Sequence, residues 1–350
     1  MKVLSLFDGI SCARVALERA GIPVEAYYAS EVDKYAMQIS AKNYPDIVQL
    51  GDIKDLVATT EPFDLLIGGS PCQDLSIAKK NRKGLDGERS GLFWEYVCIL
   101  KEVKPKYFIL ENVNSMPKEA KAIITETLGV EPIMINAALV SAQNRKRLFW
   151  TNIPNVTLPE DRGILLKDIL ELKVDEGFFV KPKSNTVRSS GRGSGIDDKH
   201  NWDTIRIGQI GKGGQGDRIY SPEGKSVGLS ALSGGRGAKT GLYAVAQRGR
   251  NIVDGKIKDI LGARTEQRIE IGQSDKAHTI TSVFKDSMVM QDTQIRKLTP
   301  TECMRLQGLP DGYCDGVSNS QQYKMLGNAF NVDVVAHILS FIDKPLTKKE

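Results

Sequence analysis

The loop GGSPCQDLS, residues 68–76, surrounds a cysteine with the residues expected around a reactive thiol. Cys72 follows a proline and lies just beyond the apolar run from Phe63 to Ile67. A thiolate is the nucleophilic form of cysteine, and a helix N-terminus or a nearby cation favours it. A lone cysteine is more often a small buried apolar residue. The glycine-rich loop argues against burial here, so Cys72 is a candidate nucleophile.

Charged residues end two further apolar segments. Glu111 closes the run YFIL, where an unpaired carboxylate would be costly to bury. At a strand end beside Cys72 it could donate a proton or a hydrogen bond. Arg145 and Arg147 alternate at strand spacing and therefore face one side, although charges that protect an edge strand from aggregation would look the same.

Three other segments have the features of a nucleotide site. The turn FDGIS, residues 7–11, leads into a helix N-terminus, which suits an anionic ligand, although it lacks GxGxxG. Glu31 follows the next apolar run, where an acidic residue commonly binds ribose hydroxyls. Asp52 is placed to accept from an adenine amino group. A tight turn, a charge at a helix N-terminus and a helix N-cap are the plain alternatives; together the three segments indicate an adenosine site.

These residues must be positioned by alternating strands and helices in the first 150 residues. Patterning predicts strands at 3–7, 24–29, 63–67 and 107–110, helices at 12–20, 34–43, 92–102 and 118–128, and an antiparallel pair at 133–139 and 147–151. This βαβ order predicts a doubly wound, mostly parallel sheet. Ligands of such sheets bind beyond the carboxyl ends of the strands. Helical patterns return at 301–307 and 332–342.

From about residue 180 to 290 the chain becomes rich in glycine and short β-like segments. Residues 181–250 contain 13 Lys and Arg and 5 Asp and Glu, which gives this segment a net charge of +8. The whole chain has a net charge of +5, so the remaining residues together carry −3. A basic region on a mildly acidic body favours a polyanionic partner, although a solvated basic loop is the plain alternative.

Composition excludes several classes of protein. No apolar run approaches the roughly 20 residues of a membrane span. The chain has 5 cysteines, without a CxxC pair, and only 3 histidines. We therefore expect no disulfide framework and no metal site. A cytoplasmic protein is expected, and a monomer, with an oligomer left open.

The order of the motifs resembles the cytosine-C5 DNA methyltransferases, and the de novo branch with its phage and bacterial relatives most of all. The resemblance covers residues 1–155 and 295–342 and is carried by FDGIS, Glu31, GDI, GGSPCQDLS, ENV, QNRKR, RKLTPTECMRLQGLP and LGNAFNVDVV. Ser11 departs from it, since many members have glycine there. A change at this position could alter how closely the backbone approaches the methionine end of a cofactor.

The resemblance implies a class I methyltransferase fold that uses S-adenosylmethionine, with a smaller β- and loop-rich target-recognition domain. The implied boundaries are 1–175 plus 318–350 for the catalytic domain and 176–317 for recognition of double-stranded DNA. The implied cofactor-binding residues are Phe7, Gly9, Ile10, Glu31, Val32, Asp52, Ile53, Leu92, Asn328 and Ala329.

The resemblance also implies a mechanism. Cys72 would add to C6 of a cytosine flipped out of the duplex, and Glu111 would bond ring N3. Arg147, with Arg145 beside it, would hold the carbonyl O2 and a nearby phosphate or the loop. Arg296 and Glu302, followed by Gln307, would brace the recognition domain.

Three alternatives remain at this point. A tRNA cytosine-C5 methyltransferase would carry a Cys-Phe-Thr signature, but the chain has no cysteine between Cys98 and Cys303. A non-catalytic DNA-binding homologue would not need Cys72, Glu111 and the arginines. A nicotinamide-dependent dehydrogenase would share the βαβ pattern and the acidic residue after the second strand, but normally carries GxGxxG.

Overall fold

The computed structural model describes residues 1–56, 62–71, 91–178 and 298–342, together with eight strands between residues 206 and 297. The chain divides into two compact units, Met1–Ile164 with Cys303–Glu350 and Leu165–Glu302. The first unit is therefore discontinuous in sequence. Its two junctions lie earlier in the chain than the predicted boundaries at residues 175 and 318.

The first unit is built on a seven-stranded sheet with the order β3-β2-β1-β4-β5-β7-β6. Its strands are β1 (Lys2–Leu6), β2 (Ala26–Ser30), β3 (Val48–Gly51), β4 (Leu65–Gly68), β5 (Tyr107–Val113), β6 (Ile133–Asn136) and β7 (Lys146–Thr151). Strands β1 to β5 run parallel, while β7 is antiparallel to both β5 and β6. The predicted doubly wound, mostly parallel sheet is confirmed.

The described residues form seven α-helices, and six of them lie within the first unit. These six are α1 (Cys12–Arg19), α2 (Lys34–Asn43), α3 (Leu92–Val103), α4 (Lys118–Leu128), α6 (Asn319–Asn328) and α7 (Val332–Leu339). The seventh, α5 (Pro300–Gln307), spans the second junction between the units. Side-chain caps define several helix starts. Asp33, Ser318 and Asn331 accept hydrogen bonds from backbone N–H groups of α2, α6 and α7 respectively. Helix α4 ends at Gly129, whose φ of 69° lies in the left-handed region that a residue without a Cβ adopts readily.

The core follows the two-residue period of the strands. Leu4, Leu6, Leu66, Leu110 and Trp150 are at most 1% exposed and share one cluster with Phe93 and Tyr96 of α3 and Ile124 of α4. On the alternate positions Val3, Leu65 and Ile67 are also fully buried. Both faces of the central strands are thus covered, so the strands can present functional groups only at their ends.

Several predicted strand bounds differ from the observed ones, and two of the differences have a clear local reason. Strand β1 ends at Leu6 because Phe7 has a φ of 57°, outside the extended region. Strand β6 ends at Asn136, whose side chain accepts from the Ala138 amide and starts a short 3₁₀ turn. The short, partly exposed strand β3 was not delimited from sequence because its VQLG segment lacks a clear alternation.

The described strands of the second unit pair antiparallel. They are β8 (Arg206–Gln209), β9 (Arg218–Tyr220), β10 (Tyr243–Arg250), β11 (Ile252–Val253), β12 (Lys256–Ile257), β13 (Glu266–Ile271), β14 (Met288–Gln291) and β15 (Gln294–Lys297). Four form a sheet of order β13-β10-β14-β15. The β-like segment GLYAVAQ overlaps strand β10 from Tyr243 onward, while HTITSVF lies outside the described residues. Of the helices described in either unit, none is long and apolar enough to cross a membrane.

Candidate active site at the strand ends

Glu111 and Arg147 form a largely buried ion pair across β5 and β7. Arg147 Nε lies 2.8 Å from Glu111 Oε1, and the two side chains are 16% and 13% exposed. The register explains the contact, because Glu111 is opposite Phe149 and Arg147 is two residues along the same face. The antiparallel pairing of β7 with β5 therefore places the Arg147 guanidinium beside the Glu111 carboxylate.

Arg145 has a different set of partners. It is 3% exposed, and its guanidinium donates to the carbonyl of Ala329 at 2.9 Å and to that of Gly327 at 3.3 and 3.4 Å. These carbonyls belong to the end of α6, where helical carbonyls lack intrahelical partners. Arg145 thus fixes the last turn of α6 to the start of β7.

Glu111, Arg145 and Arg147 nevertheless line one small pocket. The pocket is completed by Phe330 and Asn331 at the start of α7 and by apolar side chains from β6, β7 and α7. Its full lining is Glu111, Ile135, Ala137, Arg145, Arg147, Phe149, Phe330, Asn331 and Val334. The structure therefore brings together the three charged candidates that the sequence places at two strand ends.

The loop after β4 approaches this pocket through a glycine. A Cβ at Gly69 would lie 2.8 Å from Phe330 Cε1 and 3.1 Å from Glu111 Oε2, which excludes any larger residue without movement. The buried side chain of Asn112 donates to Ser70 Oγ at 3.1 Å and to the Ser70 carbonyl at 3.3 Å. The loop is thus held against β5 up to Ser70. Cys72 lies outside the described residues.

The turn after β1 meets the end of β2. Glu31 accepts from the Gly9 amide at 2.8 Å through Oε2, and from the Val32 and Asp33 amides through Oε1. A carboxylate has about four lone-pair sites, so three backbone donors leave room for another. Phe7 has a φ of 57°, which is unusual for a bulky residue and typical of strained functional turns.

The remaining cofactor candidates surround this turn. Val32 is 68% exposed, whereas Ile53 is 5% exposed. Asp52 caps a short 3₁₀ helix by accepting from the Lys54 amide at 3.1 Å, which is the plain N-cap alternative noted above. The 3₁₀ helix contacts α3, which begins at Leu92. The residues that follow β1, β2 and β3 therefore lie with α3 at one edge of the sheet.

The end of α6 joins the same edge. Asn328 is its last residue and Ala329 its C-cap. One turn earlier, Lys324 Nζ lies 2.6 Å from Asp33 Oδ2, next to Val32. This contact holds the C-terminal part of the unit close to the predicted ribose-binding residue.

Sequence reasoning missed several residues that shape these sites. Asp8 is 5% exposed and accepts hydrogen bonds from Tyr27 and Ser11. Burial raises the pKa of Asp8, and the hydrogen bond from Ser11 acts against that rise. No local signal indicates that Asp8 is buried, because an Asp-Gly pair after a strand is the usual sign of a turn. Phe330 and Asn112 lie within the motifs LGNAFNVDVV and ENV, but nothing local in the sequence indicates what they contact.

In the second unit, Arg296 and Glu302 form a buried bidentate ion pair. Both N–O distances are 2.8 Å, and the side chains are 3% and 0% exposed. Glu302 also accepts from the amides of Thr299 and Glu171. Through these hydrogen bonds Glu302 connects strand β15, which contains Arg296, to Glu171 near the start of the second unit. In the first unit, Gln307 donates to the Leu326 carbonyl.

The described residues contain no cluster of three or more metal-binding side chains. The glycine turn and the carboxylate after the second strand are instead features of a nucleotide-binding site in a doubly wound sheet.

The C-5 cytosine-specific DNA methylase family matches residues 1–344 of the chain. The chain belongs to this family. Because the match covers nearly the whole chain, the predicted resemblance is confirmed, and the methylase is a DNA cytosine methyltransferase.

Curated relatives of the methylase cover its whole length. The type II methyltransferase M.HhaI of Haemophilus parahaemolyticus is 30% identical over 100% of this chain and 96% of its own. The orphan methyltransferase M.SPRI of Bacillus phage SPR is 27% identical over 100% of this chain and 99% of its own.

Two solved structures share the fold of the methylase. A DNA modification methyltransferase encoded within an E. coli prophage has a TM-score of 0.59 at 20% identity and covers 98% of both chains. The S. pombe Dnmt2 methyltransferase has a TM-score of 0.54 at 19% identity and covers 97% of both. At these identities the likeness supports the fold, and the predicted class I methyltransferase fold is confirmed.

Proposed function

We propose that this methylase transfers a methyl group from S-adenosylmethionine to C5 of a flipped-out cytosine in DNA, through a covalent adduct with Cys72. The observation that carries the proposal is the Glu111–Arg147 pair beside Gly69. Cys72 is three residues beyond Gly69 in the sequence, and three residues of chain span at most about 11 Å, so the chain length allows Cys72 to reach a base bonded to Glu111.

Cytosine C5 is a weak nucleophile until C6 is attacked. Addition of the Cys72 thiolate to C6 converts the ring into an enamine whose C5 can attack an electrophilic methyl group. Loss of the C5 proton and cleavage of the C6–S bond then release the methylated base and the thiolate. One difficult substitution is thereby divided into easier steps.

Glu111 would stabilise the ring during the addition by carrying a proton on Oε2 and donating it to N3, so that negative charge does not accumulate there. Arg147 already holds Oε1, and Oε2 lies on the side of Gly69. The ion pair fixes the carboxylate before the base arrives, which is the arrangement that lowers reorganisation on catalysis. Arg147 would also contact the cytosine O2, while Arg145 would act by holding the end of α6.

The residues at the sheet edge fit the proposed cofactor. A Cβ at Gly9 would meet nothing within 4 Å, so the turn has open space above it. Glu31 would accept from the ribose hydroxyls, Asp52 from the adenine amino group, and Val32 and Ile53 would contact the ring faces. Leu92, Asn328 and Ala329 would line the pocket, with Phe7 and Ile10 at the turn. The cofactor supplies an electrophilic methyl group when bound.

A base inside a duplex cannot reach these residues, so the target cytosine must leave the stack at a cost of a few kcal/mol. The basic region within 181–250 would offset this cost through phosphate contacts. We assign double-stranded DNA recognition to the second unit. Since the relatives named above come from a bacterium and a phage, we propose that the enzyme acts in the cytoplasm of a prokaryotic cell.

Bisulfite sequencing of host DNA after expression tests the proposal. Wild type should protect cytosines in one short sequence context, Cys72→Ala should protect none, and both should bind S-adenosylhomocysteine equally. Cys98→Ala, which alters an exposed thiol on α3, is the matched control and should retain activity. Protection by Cys72→Ala would exclude the nucleophile, and no protection by folded wild type would direct attention to RNA.

A further inference from the structure

We infer that Ser11 and Asp8 are positioning residues that hold the cofactor-binding turn in its strained shape. The inference rests on the proposed cofactor site at that turn and adds two residues to it. Ser11 is fully buried and Asp8 is 5% exposed, so neither side chain is placed to touch a ligand directly. Their effect must pass through the backbone between them.

The backbone of this turn is unusual at alternate residues. Phe7, Gly9 and Ser11 have φ angles of 57°, 61° and 59°, all in the left-handed region. Glycine adopts this region readily, whereas a residue with a Cβ does so at a conformational cost. In this chain something else must compensate for the loss of that freedom.

The Ser11 hydroxyl supplies the compensation. It donates to Asp8 Oδ2 at 2.6 Å, and since it has one hydrogen, the 2.6 Å contact with Ser40 must be donated by Ser40. Ser40 accepts in turn from Gln49 Nε2 at 3.1 Å. Tyr27 donates to the other oxygen, Asp8 Oδ1, at 2.7 Å. The hydrogen bonds that run from Gln49 through Ser40 to Ser11 therefore end at the Asp8 carboxylate, as does the bond from Tyr27.

This network joins every element around the turn. Ser11 precedes α1, Tyr27 lies on β2, Ser40 on α2 and Gln49 on β3. The Asp8 and Ser11 backbones are also joined, because the Ser11 amide donates to the Asp8 carbonyl at 3.2 Å. From the other side Tyr313 donates to the Ile10 carbonyl at 2.8 Å. A shift of the turn would break bonds to several elements at once.

Substitutions at Ser11 separate this role from simple packing. Ser11→Ala keeps the Cβ in the left-handed region and loses the hydroxyl, whereas Ser11→Gly loses the hydroxyl but adopts the turn without strain. We expect Ser11→Ala to weaken S-adenosylhomocysteine binding about tenfold, equivalent to about 1.4 kcal/mol. Ser11→Gly should remain within about threefold of wild type. A packing role predicts the reverse order, because glycine removes more volume.

Isothermal titration of S-adenosylhomocysteine into the full-length protein measures these affinities, with thermal unfolding as a check on folding. Steady-state kinetics should show the Ser11→Ala effect in KM for S-adenosylmethionine more than in kcat. If Ser11→Ala does not fold, Ser40→Ala removes the donor to Ser11 without altering the turn and should weaken binding about threefold.

Two results would overturn the inference while leaving the proposed function intact. One is wild-type affinity in Ser11→Ala or in its substitute Ser40→Ala, and the other is a weaker affinity in Ser11→Gly than in Ser11→Ala. Failure of the wild-type protein itself to bind S-adenosylhomocysteine would instead overturn the cofactor assignment and, with it, the inference.

Discussion

Replacing Glu302 by alanine should destabilise the second unit strongly, because its carboxylate satisfies several buried groups at once. Glu302 accepts two hydrogen bonds from Arg296 and one each from the Thr299 and Glu171 amides. The Arg296 side chain is 3% exposed, so water cannot replace the lost carboxylate. The variant would leave a buried cation without its counter-charge.

The expected loss is about 3–5 kcal/mol, the range for removing one partner of a buried ion pair. For a unit of this size that corresponds to a fall in Tm of about 10 °C. Asp311→Ala is the matched control, since the Arg305–Asp311 pair is 33% and 53% exposed. An exposed pair contributes about 0.5 kcal/mol, so the control should change Tm by one or two degrees.

Thermal and urea unfolding of the two variants measure the difference. DNA affinity should fall with Glu302→Ala, while the affinity for S-adenosylhomocysteine should stay near the wild-type value, because the cofactor residues belong to the first unit. A double variant, Arg296→Met with Glu302→Leu, removes the unpaired charge and should recover part of the lost stability.

Similar effects of Glu302→Ala and Asp311→Ala on Tm would show that burial of the ion pair does not set the loss. A double variant as unstable as Glu302→Ala would show that the unpaired charge of Arg296 is not the cause. A selective loss of cofactor binding in Glu302→Ala would contradict the assignment of the pair to a bracing role.

Three further variants test the first unit. Arg147→Met should lower kcat at least 100-fold with little change in cofactor affinity, since Glu111 loses the cation 2.8 Å away; single-turnover methylation measures this. Gly69→Ala should destabilise the protein by about 1–3 kcal/mol, because the new Cβ meets Phe330, and Phe330→Leu should recover part of the loss in urea unfolding. Burial alone would raise the pKa of Asp33, but hydrogen bonds from Lys324 and the Tyr35 amide hold it below its usual value. The contribution of Asp33 to stability is therefore present above its unfolded pKa and is lost as pH falls through its folded pKa; in Lys324→Met, carboxyl NMR should show a higher pKa and acid unfolding should begin at higher pH.

The elements of the first unit could be predicted because their signals are local. Helices α2 and α4 were predicted at their observed bounds, since apolar residues at helical spacing lie between clear start and stop residues. The antiparallel pair of β6 and β7 was also predicted. Strand β3 was not delimited, because it is short and only partly buried and its pattern is weak.

The candidate site was predicted as a set of residue types at strand ends, without their contacts. Glu111 and Arg147 pair because two strands separated in sequence adopt one register. Arg145, which shares the same short motif, instead holds carbonyls at the end of α6, 182 residues further along the chain. Two equivalent arginines in sequence thus have different partners in the fold.

The sequence by itself determined the fold class, the family and the candidate residues, because periodicity and ordered motifs are properties of neighbouring positions. Only the tertiary structure decided that Asp8 and Ser11 form a buried network, that Gly69 faces Phe330, and that Asn112 holds Ser70. The physical reason is that hydrogen bonds and close contacts depend on which distant segments meet. That meeting is fixed by strand order and by the return of the C-terminal helices, which no local pattern encodes.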